Sequence, residues 1–472
     1  MVAGNLARKI SVPIETEVHI AESPVKWCTV TLSDIIARGK RLEAGAYDID
    51  AKVAEKTIIN GKYGSVRMLV DDGFINDAQH APRFKRKYVD GDRSDAVGFL
   101  GSSEMLDTKP VPVKFITLEQ ANELGLFASA GTVLLSCPGT IGNVGFVSRT
   151  LSKFALSQHI IKIDCASFGG YLYACLKHSY VQQQLQSLVY GAVVQEIEPE
   201  HLRNVCIPKA PIALKQRIHN LIERSYSLRD ESNELIDKAT SLMVAELHLP
   251  AIQVFQRTSA PISTFDVKLS NVDLRLDASY HIPVVDTIVA HLKKYAAELT
   301  IVGDSRISEA VILPGRFKRV YVEECHGRVF IGGKQLWELD PSNKKYLSNV
   351  QHGDRIEKQL ELQENMTLIT CSGTIGKVAL TGKHWNGWTA NQHIIRIVPA
   401  DDSIAGYLYI FLASDYGYPL ITHYTYGSVV DEIDDNHVRQ IPIPLLQNQE
   451  IQKRINALAL EANTKRYEAY RL

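Results

Sequence analysis

The chain has 472 residues, 45% of them hydrophobic and 22% charged, the balance of an ordinary folded protein and too long for one compact core, so two or three domains are expected. A net charge of −1 excludes a non-specific nucleic-acid coater, which needs a strongly basic face. Met1–Ile10 has no apolar stretch fit for a signal peptide, and no run reaches the roughly 18–20 apolar residues of a membrane span. The seven cysteines, without a Cys-x-x-Cys pair, give neither a disulfide framework nor a zinc site. A reduced, cytoplasmic chain is expected.

In chain order, the first legible segment is Arg41-Leu42-Glu43-Ala44, followed by the basic run Arg83-Phe84-Lys85-Arg86-Lys87. Val133–Cys137 reads as a short buried strand, and Pro138-Gly139-Thr140 with Gly142 as a turn. Val144–Val147 and His159–Ile163 read as strands and Tyr171–Leu188 as a helix. Pro199 leads into a helical turn over Glu200–Asn204, and Val205–Pro208 is extended. Leu214, Leu221, Leu228, Leu235 and Leu242 then recur every seven residues, with Ile218, Ser225, Ser232 and Ala239 on the second seam. That pattern predicts a coiled-coil helix over Ala213–Leu247, about 50 Å long.

The second half repeats the first. LLSCPGTIG over Leu134–Gly142 matches LITCSGTIG over Leu368–Gly376 at an offset of 234, which also aligns Gln158-His159-Ile160-Ile161 with Gln392-His393-Ile394-Ile395. Gly170-Tyr171-Leu172-Tyr173 matches Gly406-Tyr407-Leu408-Tyr409 at offset 236, as do Tyr190-Gly191, Val193-Val194 and Glu196-Ile197 against Tyr426-Gly427, Val429-Val430 and Glu432-Ile433. Arg316-Phe317-Lys318-Arg319 repeats the basic run, and Arg275-Leu276-Asp277-Ala278 is similar to Arg41–Ala44. Ile451, Ile455 and Leu458 keep the heptad register of Leu214, Ile218 and Leu221. A unit of roughly 230 residues has therefore been duplicated. The fold class expected is α+β: domains over 1–210 and 249–445, with helices over 211–248 and 446–472 pairing as an antiparallel coiled coil.

Two globular units, each carrying a Gly-Thr-Ile-Gly turn and each leading into a helix, resemble the specificity subunits of type I restriction-modification complexes over nearly the whole chain. The Ser136–Gly142 and Thr370–Gly376 turns carry the resemblance, with Phe99–Leu106, its echo Phe330–Leu336, and the Gly-x-Val-Val-x-Glu-Ile stretches. It implies two target-recognition domains, each reading half of a split site in double-stranded DNA, and helices that set the spacing and dock two methyltransferase subunits. S-adenosylmethionine then sits on the methyltransferase and no cofactor on this chain; motor-nuclease (restriction) subunits join them. The short second helix and the long preamble before Arg41 leave open the recognition subunit of a type IIB-like enzyme. No Asn-Pro-Pro-Tyr-type tetrapeptide and no glycine-rich loop after an acidic strand end is present, so no catalysis by this chain is expected. Near-zero net charge argues against a stand-alone DNA-binding regulator.

Candidate DNA contacts follow. Arg83, Lys85 and Arg86, with Arg316, Lys318 and Arg319, recur in a nearly neutral chain and suit phosphate oxygens. The turns place Thr140 and Thr374 where backbone approaches DNA. Val378 after Lys377 breaks the nucleotide-loop spacing, which excludes a nucleotide site. Ser102, Ser103 and Lys334 come from the family-like segments. Gln158 and Gln392 suit adenine edges, but identity between halves that read different sequences favours scaffold or phosphate roles. Base readout belongs instead to divergent loops: Asp90–Gly98 and Ser148–Leu156, with Glu323–Arg328 and Gly382–Ala390, where Trp388 and Trp385 suit either a base or the core. Glu196, Glu198, Glu200, Asp431, Glu432, Asp434 and Asp435 fit helix N-termini, and Cys137 and Cys371 fit buried packing.

Overall fold

The computed structural model describes residues 18–20, 26–37, 40–68, 75–138, 140–191, 195–256, 264–272, 275–341 and 344–472. Met1–Ile10, Gly139, Val193 and Val194 lie outside the described residues. The chain forms two compact units, Met1–Ser227 and Leu228–Leu472. The boundary between them falls inside one continuous helix, Ile212–Glu246.

In the first unit, β1 (Ile75–Gln79), β2 (Val133–Ser136), β3 (Val144–Phe146) and β4 (Ile160–Cys165) make an antiparallel sheet in the order β1-β4-β2-β3. The apolar run of β2 arises because side chains alternate across a strand and both faces here are covered. Val133 and Leu135 face a core with Tyr171, Leu172 and Leu176. Leu134 faces a smaller core with Leu100, Met105 and Leu156. A second, smaller sheet sets Ala96–Leu100 antiparallel to Phe115–Thr117 and parallel to Ala155–Leu156.

The second unit repeats this plan. β5 (Ser308–Ile312), β6 (Thr367–Thr370), β7 (Val378–Leu380) and β8 (Ile394–Pro399) take the order β5-β8-β6-β7. Gly327–Ile331 lies antiparallel to Lys345–Ser348 and parallel to Thr389–Ala390. Ile369 faces the core with Tyr407 and Leu458; Leu368 faces a smaller core with Trp385 and Trp388.

The expected helix over Tyr171–Leu188 is two helices, Gly169–Lys177 and Ser179–Leu188. His178 between them is extended and its Nδ1 caps the second by accepting from the Tyr180 amide at 3.2 Å. The long helix follows the heptad reading to within a residue. Leu214, Ile218, Ile222 and Tyr226 pack on the first unit's core. In the second unit Ser232 and Ala239 of the small-residue seam are buried. There the terminal helix Gln449–Arg471 meets it: Lys465 pairs with Glu231 at 2.7 Å, and Arg466 Nε donates to Ser232 Oγ at 2.8 Å.

The glycines of the Gly-Tyr-Leu-Tyr repeat answer to these helices. A Cβ on Gly170 would stand 2.9 Å from the His219 backbone, and one on Gly406 would stand 2.5 Å from the Asn456 carbonyl. The same helices cap what they crowd: His219 Nδ1 accepts from the Gly170 amide at 3.1 Å, and Asn456 Oδ1 accepts from the Gly406 amide at 2.7 Å.

Burial sets a pH dependence in the second unit. It pushes the imidazoles of His384 and His423 down to about 4, so both rings are neutral in the fold. Below pH ~6.5 the unfolded chain takes up protons that the native state refuses. Stability is therefore full above pH ~6.5 and falls as pH drops towards 4, by about 3 kcal/mol for each ring. Urea titrations followed by tryptophan fluorescence at pH 7 and 4.5 check this; an unchanged midpoint would show that both rings charge within the fold.

Candidate nucleic-acid interface

In each unit the basic run lies against the Gly-Thr-Ile-Gly turn, joined by a carboxylate. Glu196 forms a β-bridge with Pro138 of the first turn, and its side chain pairs with Arg83 at 3.2 Å. Glu432 bridges Ser372 of the second turn and pairs with Arg316 at 2.9 Å. The arginine side chains are nonetheless 84% and 79% exposed. Such surface pairs contribute ~0–1 kcal/mol, so a phosphate can displace the carboxylate at small cost.

Exposure alternates along the run. Arg83, Lys85 and Lys87 face solvent while Phe84 and Arg86 turn inward, and Arg316 and Lys318 face solvent while Phe317 and Arg319 turn inward. Arg86 meets His159 Nε2 at 3.0 Å and lies 5.6 Å from the Phe99 ring centre. Arg319 donates to Gln392 Oε1 at 2.8 Å and lies 5.6 Å from the Phe330 ring centre. Arg86 and Arg319 are thus half-buried against these partners, while Arg83, Lys85, Arg316 and Lys318 point outward. Burial first, and then the adjacent Arg86 or Arg319, holds His159 and His393 below the usual imidazole range. Neutral rings are what an arginine neighbour tolerates.

Gln158 and Gln392 belong to the same inward network. Gln392 Nε2 lies 3.1 Å from His393 Nε2, and Gln158 Nε2 lies 3.5 Å from His159 Nε2. Gln392 Oε1 accepts from Arg319, while Gln158 Oε1 is buried without a hydrogen-bond partner among the described residues. Thr140 and Thr374 are exposed at the turn tips. Gly142 and Gly376 sit at φ +92° and +85°, a left-handed conformation that glycine adopts without strain. Lys377 Nζ rests 4.3 Å from the Trp337 ring centre. Ser103 and Lys334 are exposed and Ser102 half-buried. The segments that carry them correspond: the Gly101 amide donates to Glu104 at 3.0 Å and the Gly332 amide to Gln335 at 3.1 Å.

Trp388 does not offer a platform. It is 9% exposed and stacked on Trp385 at 5.8 Å in the core, because Leu368 and Ile394 present the inner side of the sheet to both rings. Of the divergent loops, Asp90–Ser94 and Glu323–His326 are exposed throughout, while Ser148–Leu156 and Gly382–Ala390 are largely packed. Cys137 and Cys371 are buried, and burial pushes both thiols up to about 12, far from thiolate chemistry. Asp434 Oδ1 caps its short helical turn by accepting from the His437 amide at 2.9 Å, whereas the Glu198 carboxylate is held by His80 Nε2 and the Tyr190 hydroxyl, each at 2.8 Å. Among the described residues no cluster of His, Cys, Asp or Glu could hold a metal.

Two aromatic positions escaped the sequence reading. Tyr88 and Tyr321 stand at equivalent places just past the basic runs, both exposed. Lys114 Nζ lies 5.4 Å from the first ring centre and Lys345 Nζ 5.2 Å from the second. The tyrosines were legible as a common extension, Arg-Phe-Lys-Arg-x-Tyr. The lysines were not, because strand pairing brings them there.

Each unit thus presents an outward face of arginine, lysines, a tyrosine and a threonine-tipped turn, which suits a polyanion. Residues 342–464 match the model of the type I restriction modification DNA specificity domain. The similarity to a DNA specificity domain is carried by that segment of the second unit. No curated protein matches it. Solved structures similar to it include a type I S subunit from M. genitalium, at 12% identity over 88% of this chain and 93% of that one, TM-score 0.32. The HsdS subunit from Thermoanaerobacter tengcongensis is similar at 16% identity over 88% and 93%, TM-score 0.28. A chain from a structure describing complex assembly and conformational transition of the type I R-M system is similar at 14% over 83% and 90%, TM-score 0.29. At such scores these likenesses carry no further argument. No helix among the described residues is long and apolar enough to cross a membrane.

Proposed function

We propose that this chain recognises a split DNA target, one half-site per unit, as the specificity subunit of a cytoplasmic type I complex. The observation that carries the reading is the repetition of the same cationic and aromatic face in both units, beside loops that differ. Shared residues then take the shared substrate, the phosphate backbone: Arg83, Lys85, Lys114 and Thr140 in one unit, Arg316, Lys318, Lys345 and Thr374 in the other, with Ser102, Ser103 and Lys334 at the rims. Asp90–Ser94 and Glu323–His326 read the bases, where the two halves must differ. The helices Ile212–Glu246 and Gln449–Arg471 pair antiparallel; Lys465 on Glu231, and Leu228 in one apolar cluster with Ala469, support that sense. Methyltransferase subunits carrying S-adenosylmethionine dock on them and restriction subunits complete the complex, so this chain itself transfers no methyl group.

Expressing the chain with a type I methyltransferase subunit from its own host, then sequencing the methylome of a host otherwise lacking that modification, tests the reading. Two defined half-sites separated by a fixed non-specific spacer are expected, and exchanging Asp90–Ser94 for a related loop should alter only one half. A continuous target, or the same methylation without this chain, would overturn it.

A further inference from the structure

Each unit sets one cation into an isoleucine-rich strand of its sheet, and at the same place. β4 carries Ile160-Ile161-Lys162-Ile163 and β8 carries Ile394-Ile395-Arg396-Ile397, equivalent at the repeat's offset of 234. Burial opposes the charge at both. It holds the Lys162 amine below the usual lysine range and pushes the Arg396 guanidinium down to about 9. A further isoleucine would serve the sheet without that cost. The cations therefore answer to something beyond the sheet.

Both reach backbone carbonyls where a helix ends. Lys162 Nζ donates to the Gly125 carbonyl and, at 3.3 Å, to the Phe127 carbonyl, just past the helix Leu118–Glu123. Arg396 donates to the Ala390 carbonyl and, at 3.3 Å, to that of Leu360, which closes the helical stretch beginning at Asn349. Carbonyls at such ends carry partial negative charge, which suits a cation. Each helix follows directly on the strand that places an outward lysine, Phe115–Thr117 beside Lys114 and Lys345–Ser348. Each helix in turn holds the basic run. Gln120 Nε2 donates to the Lys85 carbonyl at 3.3 Å. In the second unit His352 Nε2 accepts from the Val320 amide at 3.1 Å and its ring lies 5.2 Å from that of Phe317. Arg355 adds a bond to the Gly315 carbonyl at 3.4 Å. The polar groups differ between the copies, yet the linkage is the same: central strand, cation, helix, basic run.

On the split-target function proposed above, we infer that Lys162 and Arg396 are positioning residues for DNA recognition: each sets, through its helix, where the basic run of its own unit stands against the duplex. Arg396 is fully buried and the Lys162 amine is bound to carbonyls, so both act through the run rather than on the duplex. Their effect reaches the bases because phosphate contacts fix the register in which neighbouring loops meet base edges. Such contacts must hold to within roughly 0.5 Å, so a loosened run loses discrimination while keeping its charge.

The test uses the full-length chain in complex with a type I methyltransferase subunit from its own host. Fluorescence anisotropy compares the target defined by methylome sequencing with duplexes mismatched in either half-site. Lys162→Met should lower the ratio of cognate to mismatched affinity by about tenfold or more for one half-site and leave the other alone, a loss within what one mismatch commands. Arg396→Met should do the same for the opposite half. Lys162→Arg and Arg396→Lys, which exchange the cations of the two units, should keep both ratios. The salt slope should stay at its wild-type value throughout. Gln120→Ala and His352→Ala cut the same linkage at the helix and should reproduce the loss, which keeps the inference open to refutation where a methionine variant folds poorly. A merely structural role would lower the unfolding temperature and the active fraction while both ratios stayed at wild-type values, and that result would overturn the inference. A reduced salt slope in either methionine variant would overturn it too, since the cation would then be a phosphate contact. A wild-type complex without two half-sites would instead defeat the proposed function.

Discussion

Exchanging Arg83, Lys85, Lys114, Arg316, Lys318 and Lys345 for glutamine should weaken DNA binding by the assembled complex by three or more orders of magnitude near physiological salt. The size follows from counterion release: each phosphate neutralised contributes about 0.9 to the slope of log affinity against log salt, so six contacts contribute roughly 5. The loss should be similar on cognate and unrelated duplexes, because phosphates carry no sequence. Arg83 and Arg316 start from ion pairs with Glu196 and Glu432, so their individual shares should be smaller than those of the unpaired lysines. Arg86→Gln and Arg319→Gln make the contrast, since both guanidinium groups point inward against His159 and Gln392. They are expected to lower the unfolding temperature and to leave the salt slope alone. Fluorescence anisotropy across a salt series reads both quantities. A six-fold variant with the wild-type slope would mean that DNA lies on another face.

The duplication, the strands and the long helix were legible because they depend on periodicity, which a sequence carries directly. The run Leu134-Leu135-Ser136 announced burial, and the seven-residue leucines announced the helix to within a residue. The division of labour inside the basic run was not legible. Arg83 and Arg86 look alike in sequence, and only packing against Phe99 and His159 separates the outward one from the inward one. Trp388 was open in the sequence, where it suited a base or the core; Leu368 and Ile394, which need a partner on their side of the sheet, hold it in the core. Arg396 is the hardest case. It is fully buried within an Ile-Ile-Arg-Ile strand, and burial pushes its guanidinium down to about 9. It donates to the Leu360, Ala390 and Ile394 carbonyls, long-range partners that no local pattern encodes.

The spacer of the proposed split target should lengthen by about 3 base pairs when seven helix-forming residues are inserted between Ser227 and Leu228. A shortening experiment is the natural first choice, and removing the heptad Leu221–Ser227 keeps the seam in register. The structure argues against it. That heptad contains Tyr226, whose ring lies 5.1 Å from Phe146 and 5.7 Å from Tyr173, so its loss would strip the helix from the first unit's core. Residues up to Tyr226 serve the first unit and those from Leu228 onward serve the second. The point between them is where added helix leaves both sets of packing intact. Seven residues add roughly 10 Å of length, about three base-pair steps, and turn the helix to within ~20° of two full revolutions. Both units then keep nearly the same face towards the duplex. Five residues, at roughly 100° each, leave a rotation of about 140° that no groove can accommodate, so that variant should fold yet lose modification altogether. Methylome sequencing of cells carrying either variant with its methyltransferase distinguishes the outcomes. An active seven-residue variant with the original spacer would show that something other than this helix sets the distance between half-sites.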